Sequence, residues 1–113
     1  MFSTIQKSNI IYLLRYIIVL DECDLASCHK SVYKYSNDLG LNSEVLNKPL
    51  KSVNISDLKN VINNLSEIQK DYCFDLVFEM LYSAGIEEWE QYHPASLWFN
   101  NFVGIDSHLF MYV

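Results

Sequence analysis

The sequence predicts an all-α fold, a single compact bundle of six or seven short helices in one domain spanning residues 1–113. Three observations carry that expectation. Apolar residues recur at three- and four-residue spacing in segment after segment, with no convincing period-two run. Half of the 113 residues are apolar and 14% aromatic, with only 3 Gly and 2 Pro, which is the composition of one packed core and not of a linker or a disordered tail. Residues that cap or end helices also fall where the periodic segments start and stop.

The segment from about Thr4 to Leu20 is apolar nearly all round apart from Arg15, so as a helix it is central and covered by its neighbours. Its many β-branched residues leave a buried strand as the competing reading. Asp24 is placed to cap a second helix, about Leu25 to Leu39, with the stripe Cys28, Val32, Tyr35 and Leu39 inward and Lys30 and Lys34 outward. Gly40 ends it. Ser43 is read as the cap of a short turn through Leu46, closed before Pro49, and residues 47–55 as a polar connector. Ser56 is read as the cap of a further helix with Leu58, Val61, Ile62 and Leu65 on one face.

Ser66-Glu67-Ile68-Gln69 has the form of a capping box and opens the next helix. That helix is expected to bury Ile68, Tyr72, Cys73, Leu76, Val77, Met80 and Leu81, and to end at Gly85. Beyond it, Pro94 suits the first turn of a helix to about Phe102. Gly104 breaks the chain, and Asp106 caps a last helix over Ser107 to Tyr112.

Two stretches share an outline. Leu13 to Leu41 runs apolar helix, acidic break at Asp21-Glu22-Cys23-Asp24, helix, then Leu39-Gly40-Leu41. Leu76 to Ile105 runs apolar helix, break at Ala84-Gly85-Ile86-Glu87-Glu88, helix, then Val103-Gly104-Ile105. This is the pattern of a helical hairpin duplicated once. It resembles the TerB-like family of tellurite-resistance helical bundles, whose members have two such hairpins, each with an acidic Ala-Asp-Gly-Glu type turn. The resemblance implies a divalent-cation site at those turns or a role in a stress-response assembly. The chain departs from the family there. Glu22 stands where the family glycine belongs, and Ser83-Ala84-Gly85-Ile86 lacks the aspartate.

Charge is polarised along the chain. Residues 66–113 carry eight acids against the single base Lys70, while residues 1–65 carry six acids against seven bases. Glu67, Asp71, Asp75 and Glu79 stand four apart within one predicted helix. Like charges at that spacing cost a helix roughly 0.2–0.5 kcal/mol each, so the pattern points to a use outside the fold. Each step of four overshoots a turn by about 40°, and the four acids form a ridge winding over the exposed side. The acidity disfavours direct contact with nucleic acid or an anionic membrane and favours a basic protein partner or a cation.

Three cysteines, Cys23, Cys28 and Cys73, are an odd number, which argues against a closed disulfide framework and for a reduced, cytoplasmic setting. Ile10 to Leu20 has the look of a signal-peptide core, but Arg15 interrupts it and Asp21, Glu22 and Asp24 follow it, unlike an export signal. Eleven residues are also too few to span a bilayer.

Chemistry-bearing constellations are sparse. Cys23, Cys28 and His29, with His93 and His108 far along the chain, match no zinc spacing. There is no nucleophile elbow or phosphate-cradling glycine loop, and Glu88 or Glu90 with His93 makes only a generic acid–base pair. No catalytic residue, metal or cofactor is expected. The binding reading has more to stand on: Trp89 and Tyr92 sit among Glu87, Glu88 and Glu90, and binding hot spots favour aromatic anchors with charge around them. The expected function is a non-enzymatic inhibitor of the immunity or antitoxin type, whose acidic face covers the basic active-site surface of a toxin such as a nuclease. Its contact residues are Glu67, Asp71, Asp75, Glu79, Glu87, Glu88, Trp89, Glu90 and Tyr92. The apolar end Leu109-Phe110-Met111-Tyr112-Val113 leaves self-association open.

Overall fold

A computed structural model of the chain describes residues 1–20 and 26–83. The described residues form five α-helices and one 3-10 turn, with no strand among them. The helices expected at 94–102 and 107–112, and Gly85 as a terminator, lie outside them. Helix α1 (Thr4–Leu20) packs against α2 (Ala26–Asp38), α3 (Glu44–Asn47), the 3-10 turn Leu50–Ser52 and α4 (Ile55–Asn63), while α5 (Glu67–Ser83) packs on α2.

The central place expected for α1 holds, and the strand alternative is set aside. Ile10, Ile11, Leu13, Leu14 and Ile18 are buried, facing a core that includes Leu58, Ile62 and Leu65 of α4 and its end. The α2 stripe is also as expected, with Cys28, Val32 and Tyr35 buried, Leu39 packed at the edge, and Lys30 and Lys34 exposed. Gly40 ends α2 with φ +73°. Its amide bonds to the Asn37 carbonyl at 2.9 Å and that of Leu41 to the Ser36 carbonyl at 3.0 Å. This is the crossed pair of a Schellman ending, and it requires a left-handed residue where a Cβ is penalised.

Two expected caps are corrected. Ser43 lies in the right-handed helical region and makes no side-chain cap bond; the Glu44 amide is taken instead by Asn42 Oδ1 at 2.9 Å. Helix α4 begins at Ile55, inside the segment read as a connector. Its cap is Asn54, extended at φ −75°, ψ 112°, whose Oδ1 accepts from the Asp57 amide at 3.0 Å, and Ser56 is a helical residue. Both residues are good cap formers; the extended backbone at Asn54 selects between them.

The capping box at Ser66 is formed in both directions, Gln69 N–H to Ser66 Oγ at 3.2 Å and Ser66 N–H to Gln69 Oε1 at 2.9 Å. An equivalent box opens α1, where Ser3 and Gln6 exchange bonds of 2.9 and 3.1 Å. The match continues. Ser-x-Ile-Gln-Lys occupies both 3–7 and 66–70, and each helix has 17 residues. Ile5 and Ile68 are exposed at corresponding places, while Ile10, Ile11, Leu13 and Leu14 correspond to the buried Cys73, Phe74, Leu76 and Val77. Replacing Ser66 by alanine is expected to lower stability in urea unfolding by about 1 kcal/mol, and Ser3→Ala by a similar amount. A null result for both would mean that solvent satisfies these helix ends as well as the serines do.

Candidate binding face

The inward stripe of α5 is Cys73, Phe74, Leu76, Val77 and Met80, with Tyr72 half-buried. Ile68 is a correction, because it is 69% exposed rather than buried. The reason lies in the pairing of α2 and α5. Tyr35 meets Glu79 and Asp38 lies near Tyr72, so the two helices run antiparallel and α2 stops beside Tyr72. Ile68, one turn beyond, overhangs that end. The chain start packs on the same part of α5, with the Phe2 ring 5.3 Å from that of Tyr72 and Gln69 Nε2 donating to the Met1 carbonyl at 2.6 Å.

Glu67, Asp71, Asp75 and Glu79 are all solvent-exposed along α5. The ridge is anchored at one end. Glu79 accepts a hydrogen bond from the Tyr35 hydroxyl, which also bonds to Ser31, and Tyr35 is only 4% exposed. Burial first, then the Glu79 carboxylate, pushes the Tyr35 phenol well above its usual range. Tyr72 is shifted the same way, by burial and then by Asp38. Glu79 therefore has a structural bond as well as an exposed charge, and Glu67, Asp71 and Asp75 form the outer part of the ridge. Glu87, Glu88, Trp89, Glu90 and Tyr92 lie outside the described residues.

Arg15 has a role that its place in the sequence did not disclose. Its Nη1 donates to the Val45 carbonyl at 2.8 Å and its Nη2 to the Lys48 carbonyl at 2.7 Å. Helix α3 has a single turn, so its last carbonyls have no partner within it. The guanidinium fork fills two of them at once. Burial lowers the pKa of Arg15, and the neighbouring Tyr12 and Tyr16 oppose that shift. Tyr16 donates to the Leu50 carbonyl at 2.7 Å, and the Lys48 ammonium stands 5.6 Å above the Tyr12 ring. Between α1 and this segment runs an open groove of about 690 Å³, lined by Thr4, Ser8 and Tyr12 on one side and by Gly40, Leu41, Asn42, Glu44, Val45, Asn47 and Lys48 on the other. The sequence signal was a lone arginine in an apolar helix, paired with a one-turn helix that has no glycine ending.

Cys28 and Cys73 are buried and not joined in a disulfide. Burial pushes the Cys73 thiol up to about 12, which keeps it protonated and unreactive at neutral pH. Among the described residues no group of three His, Cys, Asp or Glu could hold a metal ion, and no helix is long and apolar enough to cross a membrane. Comparisons with protein-family models, with curated proteins and with solved structures return no match to the chain.

Proposed function

We propose that the protein is a non-enzymatic binding protein of the immunity or antitoxin type, whose acidic face covers the basic active-site surface of a toxin such as a nuclease. The observation that carries this reading is the exposure of Glu67, Asp71, Asp75 and Glu79 on one helix whose other side is packed into the core. Four carboxylates in a row repel one another, and the repulsion is relieved when a basic surface approaches. We assign Glu87, Glu88, Trp89, Glu90 and Tyr92 to the same surface on the sequence pattern, with Trp89 as its aromatic anchor.

The architecture we propose is the duplicated, TerB-like hairpin. Its support is the matched helices α1 and α5, equal in length, opened by the same Ser–Gln box and buried at corresponding positions.

The experiment uses the toxin-like protein encoded beside this chain, if the neighbouring frame encodes one, and follows association by stopped flow. Its rate is expected to fall at least tenfold from low salt to about 0.5 M, because the charges that steer the encounter are screened. A rate independent of salt rejects the electrostatic interface.

A further inference from the structure

Residues 42–53 hold to the fold differently from the four longer helices. Among the described residues, the backbone bonds of this segment close within it. The amides of Leu46 and Asn47 bond to the Ser43 carbonyl, Lys48 to Glu44, Ser52 to Pro49 and Val53 to Leu50. A one-turn helix and a three-residue 3-10 turn have no stability of their own. Among the described residues, the hydrogen bonds that join the segment to its surroundings all come from the neighbours Arg15 and Tyr16, which donate to the carbonyls of Val45, Lys48 and Leu50. Burial adds little. Val45 and Val53 are its buried side chains, Leu46 and Leu50 are half-buried, and the remaining residues are exposed. The open groove alongside brings solvent to the Tyr12 edge of the contact.

Both ends are closed independently of the segment. Helix α2 ends on the Gly40 and Leu41 amides, which bond to the carbonyls of Asn37 and Ser36, and α4 begins on the Asn54 side chain, which accepts from the Asp57 amide. Neither closure uses a residue between 42 and 53. The segment therefore leaves α1 without opening the helix on either side, and α1 keeps its contacts with α2 and α4. Regions with few buried side chains and exposed hydrogen bonds are those that open below the free energy of global unfolding.

We propose that residues 42–53 form a strap that opens from α1 as one unit, with Arg15 as its latch, while the four longer helices stay folded. Opening uncovers the side of α1 that carries Tyr12, Arg15 and Tyr16. It frees the guanidinium fork and the phenol hydroxyl that in the closed form hold three backbone carbonyls.

Amide hydrogen exchange of the isotope-labelled full chain, followed by NMR across low urea concentrations, tests this. The amides of Leu46, Asn47, Lys48, Ser52 and Val53 are expected to share similar protection, at least tenfold below that of the buried Leu13, Leu14 and Ile62 and with a weaker urea dependence. Arg15→Met is expected to lower the strap's protection about a hundredfold or to abolish it, and Arg15→Lys to lower it by less. Ser66→Ala is the reverse control. It weakens the α5 cap, which stays intact whether the strap is open or shut. It is therefore expected to lower the protection of Leu13, Leu14 and Ile62 about fivefold and to leave the strap amides unchanged. Strap amides that match Leu13 in protection, or that follow it in Ser66→Ala, would mean that the segment opens only when the whole chain unfolds, and would overturn the proposal. Strap protection unchanged in both Arg15 variants would overturn the latch. The wild-type and Ser66→Ala measurements stand even where Arg15→Met does not fold.

Discussion

Replacing Arg15 by methionine is expected to lower the unfolding free energy by about 3 kcal/mol. The estimate follows from two charge-assisted hydrogen bonds at about 1.5–3 kcal/mol each, reduced because the bond to Lys48 is exposed to solvent. Methionine keeps much of the aliphatic stem, so lost packing contributes little. The carbonyls of Val45 and Lys48 lose their donors, and α3 with the 3-10 turn is then held to α1 mainly through Tyr16 and apolar contacts. Urea unfolding followed by circular dichroism measures the loss. A matching fall in Tm of roughly 12–20 °C is the scale for a small domain. Arg15→Lys is expected to recover only part of it, since an ammonium on a shorter reach cannot present two parallel N–H groups. A loss below about 0.5 kcal/mol for Arg15→Met would show that water replaces the clamp.

The second large effect is alkaline unfolding between pH 9 and 12. The native chain holds the buried Cys73 thiol protonated up to about 12, against an ordinary thiol value of 9.0. Below pH 9 both states carry the proton and stability is complete. Above it the unfolded chain releases the proton and the native chain does not. Stability then falls by up to about 1.4 kcal/mol per pH unit, or about 4 kcal/mol by pH 12. The phenols of Tyr35 and Tyr72, both raised by burial, add to the loss in the same direction once the pH passes their ordinary value of 10.0. Cys73→Ala separates the thiol from the phenols. It is expected to be less stable at pH 7 through the lost sulfur, yet to show a shallower decline of stability between pH 8.5 and 10. Equal slopes for the two proteins would remove Cys73 from this account.

Much of the helical architecture was legible from single residues and their spacing. Gly40 marked the end of α2 because only a residue without Cβ takes φ +73° without penalty. Ser66 and Gln69 marked the start of α5 because their bonds span three residues and need no distant partner. The box at Ser3 and Gln6 is equally local, set just ahead of the apolar run of α1. Where two cap formers competed, as Asn54 and Ser56 did, local chemistry could not choose between them. The candidate face was half legible: the four-residue spacing placed the acids off the apolar stripe, whereas the Tyr35 bond to Glu79 depends on which helix lies alongside.

The sequence by itself determined the helical periods, the helix ends closed by nearby residues and the polarised charge, because each is set within a few residues of chain. Tertiary structure alone decided that Ile68 overhangs the end of α2, and that Arg15 serves carbonyls 30 and 33 residues away. It also decided that Tyr16 reaches the Leu50 carbonyl whereas Glu79, at the matching place on α5, stays exposed. Those outcomes depend on where neighbouring elements stop and on which backbone groups they leave unsatisfied, and neither is encoded at the residue concerned.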